Sequence, residues 1–183
     1  MFKAASKTER LFFALWPDDE VRERIIEVCN QLPELQGQRR VEPGNIHLTL
    51  HFLGNIPLQR IDCFLKQAAR VKASPFALQI VHSGYFKKAR VLWLGCRHQP
   101  AELVNLHKQS GKMIRTCGYQ PEQRPYHPHI TCARKVTHAI PGIAFKPIHW
   151  PVSRFVLVQS NSLPDGVEYK VKASFALDDP LRS

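Results

Sequence analysis

Apolar residues recur along the chain at two spacings, and the switches between them mark out the elements. "RLFFALWP" (10–17) predicts a strand, and "DDEVRERIIEVCNQL" (18–32) an amphipathic helix with Asp18 as N-cap and Ile25, Ile26 and Val28 facing inward. "NIHLTLHFL" (45–53) alternates at period two, which sets Ile46, Leu48, Leu50 and Phe52 on one face and His47, Thr49 and His51 on the other. Two imidazoles and a hydroxyl are a costly second face for so apolar a strand. Beyond the turn "GNIP" (54–57), "LQRIDCFLKQAARV" (58–71) predicts a second helix and "FALQIVHSGYF" (76–86) a strand that ends at the basic turn Lys87, Lys88.

The pattern then restarts. "RVLWLGC" (90–96) reads as a strand, "PAELVNLHKQSGKMIRTCG" (100–118) as a helix closed by Gly118, and "YHPHITCAR" (126–134) as a strand; "VSRFVLVQS" (152–160) and "EYKVKASFAL" (168–177) finish the chain. Strand, helix, histidine-bearing strand thus occurs twice. The repetition predicts an α+β fold of two pseudo-symmetric lobes, each an antiparallel sheet with outer helices, around a central cleft. No flexible linker or low-complexity segment divides them, so residues 1–183 read as a single two-lobed domain with residues 1–9 as a flexible N-terminus.

Composition narrows the partners. The chain has 183 residues with 44% hydrophobic content, enough to bury a core, and 26 basic against 15 acidic residues, a formal charge of +11. Such a balance favours a polyanionic partner, nucleic acid or a phosphorylated ligand. Cys29, Cys63, Cys96, Cys117 and Cys132 are an odd set without a C-x-x-C pair, which fits free thiols in a reducing compartment. The apolar run "LFFALW" is too short for a signal peptide, and no stretch approaches the roughly 18 apolar residues of a membrane helix. A cytoplasmic protein is expected, with no membrane association and nothing that demands more than a monomer.

The second histidine strand explains the first. "HLTL" (47–50) and "HITC" (129–132) share the form H-x-T-x, and residues two apart on a strand share a face, so each presents an imidazole beside a hydroxyl. If the lobes face each other, two His and two Thr converge on one cleft. That quartet suits phosphodiester cleavage without a metal. Water attacks phosphorus in line with the departing alcohol, so one proton is removed on one side of the phosphate and another delivered on the far side. Imidazoles with an ordinary pKa near 6.5 can do both, and hydroxyls can donate to the non-bridging oxygens as charge grows.

With these motifs the chain resembles the two-histidine (2H) phosphoesterases, and within them the RNA 2′,3′-cyclic phosphodiesterases once described as 2′–5′ RNA ligases. The resemblance runs from "RLFFALWP" through "NIHLTLHFLG", "VLWLG" and "RPYHPHITCAR" to the closing strands. It implies hydrolysis of RNA or nucleotide 2′,3′-cyclic phosphate termini to a 2′-phosphate, without cofactor or metal, and a 2′–5′ ligase side activity. It makes His47 the proton donor to the leaving 3′ oxygen and His129 the proton acceptor that activates water, with Thr49 and Thr131 binding phosphate. Arg134 matches a position that is often basic in the family and is a further phosphate-binding candidate. Family analogy also puts a base-stacking ring near Phe12 or Phe13, which lie on opposite faces of the first strand. Cys132 stands where many relatives have an aliphatic residue.

Several residues have plainer readings. His51 and His127 share parity with the motif histidines and read as rim, packing or orienting groups; Trp93 and Tyr85 read as packing. The turn from Lys87 to Arg90 is a solvated hairpin tip unless it extends an RNA contact. Two rival functions use the same side chains. One is a metal hydrolase ligated by His47, His51, His127 and His129, against which no Asp or Glu lies in either histidine strand. The other is a non-catalytic RNA- or phosphate-binding module.

Overall fold

Leu11 to Leu15 are buried without a break, so the strand that carries them is covered on both faces. This strand, β1 (Thr8–Leu15), is interior to a single antiparallel sheet in the computed structural model, which describes residues 7–32, 37–140 and 142–178. The remaining elements are α1 (Asp19–Gln31), β2 (Arg39–Arg40), β3 (Leu48–Pro57), α2 (Leu58–Ala68), β4 (Phe76–Phe86), β5 (Val91–Cys96), α3 (Ala101–Thr116), β6 (Ile130–Arg134), β7 (Ile148–Val152), β8 (Arg154–Leu163) and β9 (Gly166–Ala176). Strand order is β7-β4-β5-β6-β3-β1-β8-β9, with β2 paired to β6. The architecture is the α+β fold expected, with its two halves fused into one sheet. They meet at a single residue pair, Leu48 opposite Ile130.

Helix starts and stops follow the local chemistry. Asp18 caps α1 by accepting from the Val21 N–H at 2.9 Å. Gly118, at φ +80°, ends α3, and the Tyr119 N–H then reaches back to the Ile114 carbonyl. Helix α1 follows β1 yet packs on β7 of the other half, while α3 follows β5 and packs under β3. Each half-sheet is therefore closed by a helix from the other. Phe13, Phe64 and Phe155 are fully buried in the shared core, each contributing about 1.5–3 kcal/mol of transfer free energy.

Three expectations need correction. The predicted strand 152–160 is two strands, broken after Val152; β7 lies at the sheet edge, where Pro151 needs no ladder partner on its outer side. The second histidine strand begins at Ile130, because Pro121, Pro125 and Pro128 keep the preceding segment irregular. Of the N-terminus read as flexible, residues 1–6 lie outside the described residues, but Thr8 and Glu9 belong to β1, paired with Pro57 and Ile56.

The cysteines depart furthest from expectation. Cys29 of α1 is bonded to Cys132 of β6, and Cys63 of α2 to Cys117 just after α3, with Cα separations of 5.5 and 5.8 Å; Cys96 alone is free. Both bridges join residues far apart in sequence, so no local spacing announces them. The free-thiol premise for a reducing compartment falls with them. Alkylation of the unreduced, unfolded protein should label Cys96 only, and all five cysteines after reduction, as counted by intact mass; five labels without reduction would contradict the pairing. Among the described residues no helix is long and apolar enough to cross a membrane.

Candidate active site

Leu48 and Ile130 bury their side chains in the core at the point where the half-sheets touch. In antiparallel register their neighbours pair crosswise and point to the opposite face, which sets His47 across from Thr131 and Thr49 across from His129. All four line one cavity of about 400 Å³. Because β3 and β6 share only that pair, they splay apart and the quartet stands at the bottom of an open cleft.

The two imidazoles are held in the same way. His47 Nδ1–H donates to the Asn45 carbonyl at 2.6 Å, and His129 Nδ1–H to the His127 carbonyl at 2.7 Å. Each ring is anchored two residues upstream of itself, which leaves Nε2 as the working atom. At His47 that atom lies 3.1 Å from Thr49 Oγ1. With the ring neutral the hydroxyl donates to Nε2; once Nε2 is protonated the direction reverses, and the hydroxyl proton is released for a phosphate oxygen.

Electrostatics favour neutral rings in the free enzyme. Burial pulls His47 down to about 4 against the opposing pull of the Asn45 carbonyl, with Arg134 and His129 lowering it further. His129 is lowered by burial, offset by the His127 carbonyl, and again by Arg134, Arg124 and His127. The Arg134 cation is thus felt by both imidazoles. Its guanidinium lines the cleft and has no hydrogen bond or ion pair among the described residues, so its place suits the phosphate-binding role expected of it.

Aromatic rings enclose His47 more tightly than His129. Trp16 stacks on it at 5.7 Å between centroids, Phe12 lies at 5.0 Å, and Tyr169 meets it edge-on at 5.1 Å. His129 has Phe86 edge-on at 4.9 Å and Trp93 at 6.5 Å. This corrects the stacking expectation. Phe12 is 2% exposed and spent in backing His47, and Phe13 is wholly buried among Phe64, Phe155 and Phe175, so neither ring is open to a nucleobase. The rings that line the cleft are Phe52, Phe86 and Tyr126.

His51 also leaves the face that parity assigned to it. In the β1–β3 register Phe13 pairs with His51 but Ala14 with Thr49, so Leu50 is an extra residue in a β-bulge. The bulge turns His51 toward α3, where Nε2–H donates to the His107 carbonyl at 2.9 Å and the ring stacks on His107 at 4.1 Å. Phe52 takes its place above, 45% exposed. All four histidines of the metal reading line the cleft, but His51 is turned to α3, and among the described residues no three His, Cys, Asp or Glu side chains gather as a ligand set. At the basic tip, Lys88 lines the cleft while Arg90 is turned to the Val136 and Lys135 carbonyls.

Two positioning residues escaped notice in the sequence. Asn45 is buried; besides its carbonyl bond to His47, its Nδ2 donates to the Val167 carbonyl at 2.7 Å and its Oδ1 accepts from the Tyr169 N–H at 3.0 Å. It clips the first motif to β9. An Asn at the head of an apolar strand, where it is a poor strand former, was the available signal. Tyr126 stacks on His107 at 3.8 Å and donates to the Thr49 carbonyl at 3.1 Å, which ties the segment before His129 to the strand after His47.

The chain is similar to known proteins over most of its length. A family model described as the 2′-5′ RNA ligase superfamily matches residues 17–163. The RNA 2′,3′-cyclic phosphodiesterase of Escherichia coli (strain K12) is 32% identical over 177 residues, covering 94% of this chain and 98% of the relative. That of Thermus thermophilus is 31% identical over 188 residues, covering 92% of this chain and 90% of the relative. Among solved structures, Escherichia coli LigT complexed with 3′-AMP superposes with a TM-score of 0.86 at 30% identity, covering 94% of this chain and 99% of that one.

Proposed function

The chain belongs to the 2′-5′ RNA ligase superfamily, and from that premise we propose that it is a metal-independent RNA 2′,3′-cyclic phosphodiesterase, opening the cyclic end to a 2′-phosphate. The observation that carries this reading is the convergence of two imidazoles, each anchored through Nδ1, on one cavity that also holds two threonine hydroxyls and a guanidinium unpaired among the described residues. His129 Nε2 takes the proton of the attacking water. His47 Nε2, protonated beside the bound anion, delivers a proton to O3′ as the P–O3′ bond breaks. Thr49, Thr131 and Arg134 hold the non-bridging oxygens, and their charge stabilisation grows with that of the phosphorane-like transition state. A ribose hydroxyl in the place of water would make the same groups a ligase.

The test is incubation of the pure protein with a 2′,3′-cyclic-phosphate-ended oligonucleotide in excess EDTA, followed by identification of the hydroxyl that keeps the phosphate. Undiminished hydrolysis to the 2′-phosphate is expected. Loss of activity in EDTA would favour the metal reading, a 3′-phosphate product would exchange the sides of the mechanism, and tight binding without turnover would make the protein a binding module.

A further inference from the structure

A second, smaller cavity of about 240 Å³ adjoins the catalytic one and shares His47, Thr131 and Arg134 with it. His129 lines only the larger. The smaller cavity is lined by Arg39, Arg40, Glu42 and Arg134, by Asp165 just before β9, and by Gly166 and Tyr169 of β9.

Arg39 and Arg134 are directly opposed across the β2–β6 ladder. Side chains so placed have Cβ atoms about 4.5–5.5 Å apart, and like charges there repel. Neither guanidinium has a hydrogen bond or ion pair among the described residues. By contrast Arg40, the next residue, gives its guanidinium to the Cys29 and Leu32 carbonyls at the end of α1. Arg39 instead extends across the cavity, its Nη1 3.9 Å from where a Cβ on Gly166 would stand. Two guanidinium groups side by side at one cavity, neither partnered among the described residues, are a site for anions, and the catalytic phosphate accounts for only one of them. Arg134 lines both cavities, whereas Arg39 lines only the smaller, which sets Arg39 farther from the pair of imidazoles.

We infer that Arg39 forms a subsite for the phosphate one nucleotide upstream of the cyclic end, so that the preferred substrate is an oligonucleotide terminus rather than a cyclic mononucleotide. The inference rests on the reaction proposed above, and ribose connectivity supplies its direction. O3′ is borne on C3′, whose neighbour C4′ carries the 5′ arm, while O2′ is borne on C2′, whose neighbour C1′ carries the base. With O3′ handed to His47, the catalytic imidazole that reaches into the smaller cavity, the 5′ arm falls on the Arg39 side. The base falls toward the larger cavity with its aromatic lining of Phe52, Phe86 and Tyr126.

The experiment compares kcat/KM on adenosine 2′,3′-cyclic phosphate, its 5′-phosphorylated form, the dinucleotide ApA with a cyclic end, and the same dinucleotide with an uncharged methylphosphonate linkage. Wild type should favour the charged dinucleotide over both the mononucleotide and the methylphosphonate by about tenfold to a hundredfold, the range of one charge-assisted contact. Arg39→Ala should erase that preference while cleaving the unphosphorylated mononucleotide within about twofold of wild type, and Arg39→Lys should restore part of it. The salt dependence of dinucleotide cleavage should weaken by about 0.7 in log–log slope. A 5′-phosphate that matches the dinucleotide would identify any phosphate at that position as sufficient; one that gains nothing would require the internucleotide diester. Equal losses on all four substrates, or a wild-type enzyme indifferent to the methylphosphonate, would overturn the subsite. Failure of wild type to cleave any of them would instead overturn the parent reaction, and the subsite with it.

Discussion

Replacing His129 by alanine should lower the rate of 2′,3′-cyclic phosphate hydrolysis about 10²–10⁴-fold, and replacing His47 should do the same, since each removes one proton transfer from the transition state. The double variant should fall little below the worse single one, because groups that act on one transition state are not additive. Single-turnover rates on a cyclic nucleotide check this, and the roles separate on a second substrate. A nitrophenyl phosphodiester releases an anion that departs without a proton, so His47→Ala should lose much less on it than on the cyclic nucleotide. His129→Ala should lose as much on both, since water still needs a base. The two rings are clamped alike, by carbonyls two residues upstream, so the assignment of donor and acceptor rests on this contrast. The opposite pattern would exchange them, and full activity in either variant would remove the mechanism.

What the sequence made legible was periodic. Two H-x-T-x strands and the repeated strand, helix, strand order were enough to foresee two half-sheets and a shared cleft, because parity dictates the facing of a regular strand. The misreadings came where regularity fails. One inserted residue, Leu50, reverses parity until a second irregularity at Leu53, which is why His51 lies beneath the sheet and Phe52 above it. Phe12 and Phe13 were correctly placed on opposite faces. Yet both faces of β1 are covered, one by the helices and one by the aromatic cluster behind His47, and a covered face has no signature in a single strand. The Cys29–Cys132 and Cys63–Cys117 pairs and the Asn45 clip to β9 depend on contacts between distant segments, which residue types alone do not specify. The opposition of Arg39 and Arg134 is of the same kind: a two-residue strand is too short to carry any pattern.

The pH dependence should expose the electrostatic design. In the free enzyme His47 titrates at about 4 and His129 below the ordinary imidazole value, yet the proposed mechanism calls for a charged His47 beside a neutral His129. Above both values the productive form is a minor one, and its share falls tenfold for each further pH unit. Hence kcat/KM should peak on the acid side of 6.5 and decline about a decade per unit through neutrality. Binding changes the sign of the local field. A phosphodiester anion beside His47 favours the charged ring and raises its pKa, so the alkaline limb of kcat should lie at higher pH than that of kcat/KM. Arg134 supplies the control, since its cation lowers both imidazoles. Arg134→Gln should weaken substrate binding and yet move the alkaline limb of kcat/KM to higher pH, a combination that simple loss of affinity does not produce. Profiles from pH 4 to 9 on wild type and variant decide it: limbs that coincide in kcat and kcat/KM, or a variant limb that moves to lower pH, would mean that the charges acting on these rings are not the ones named here.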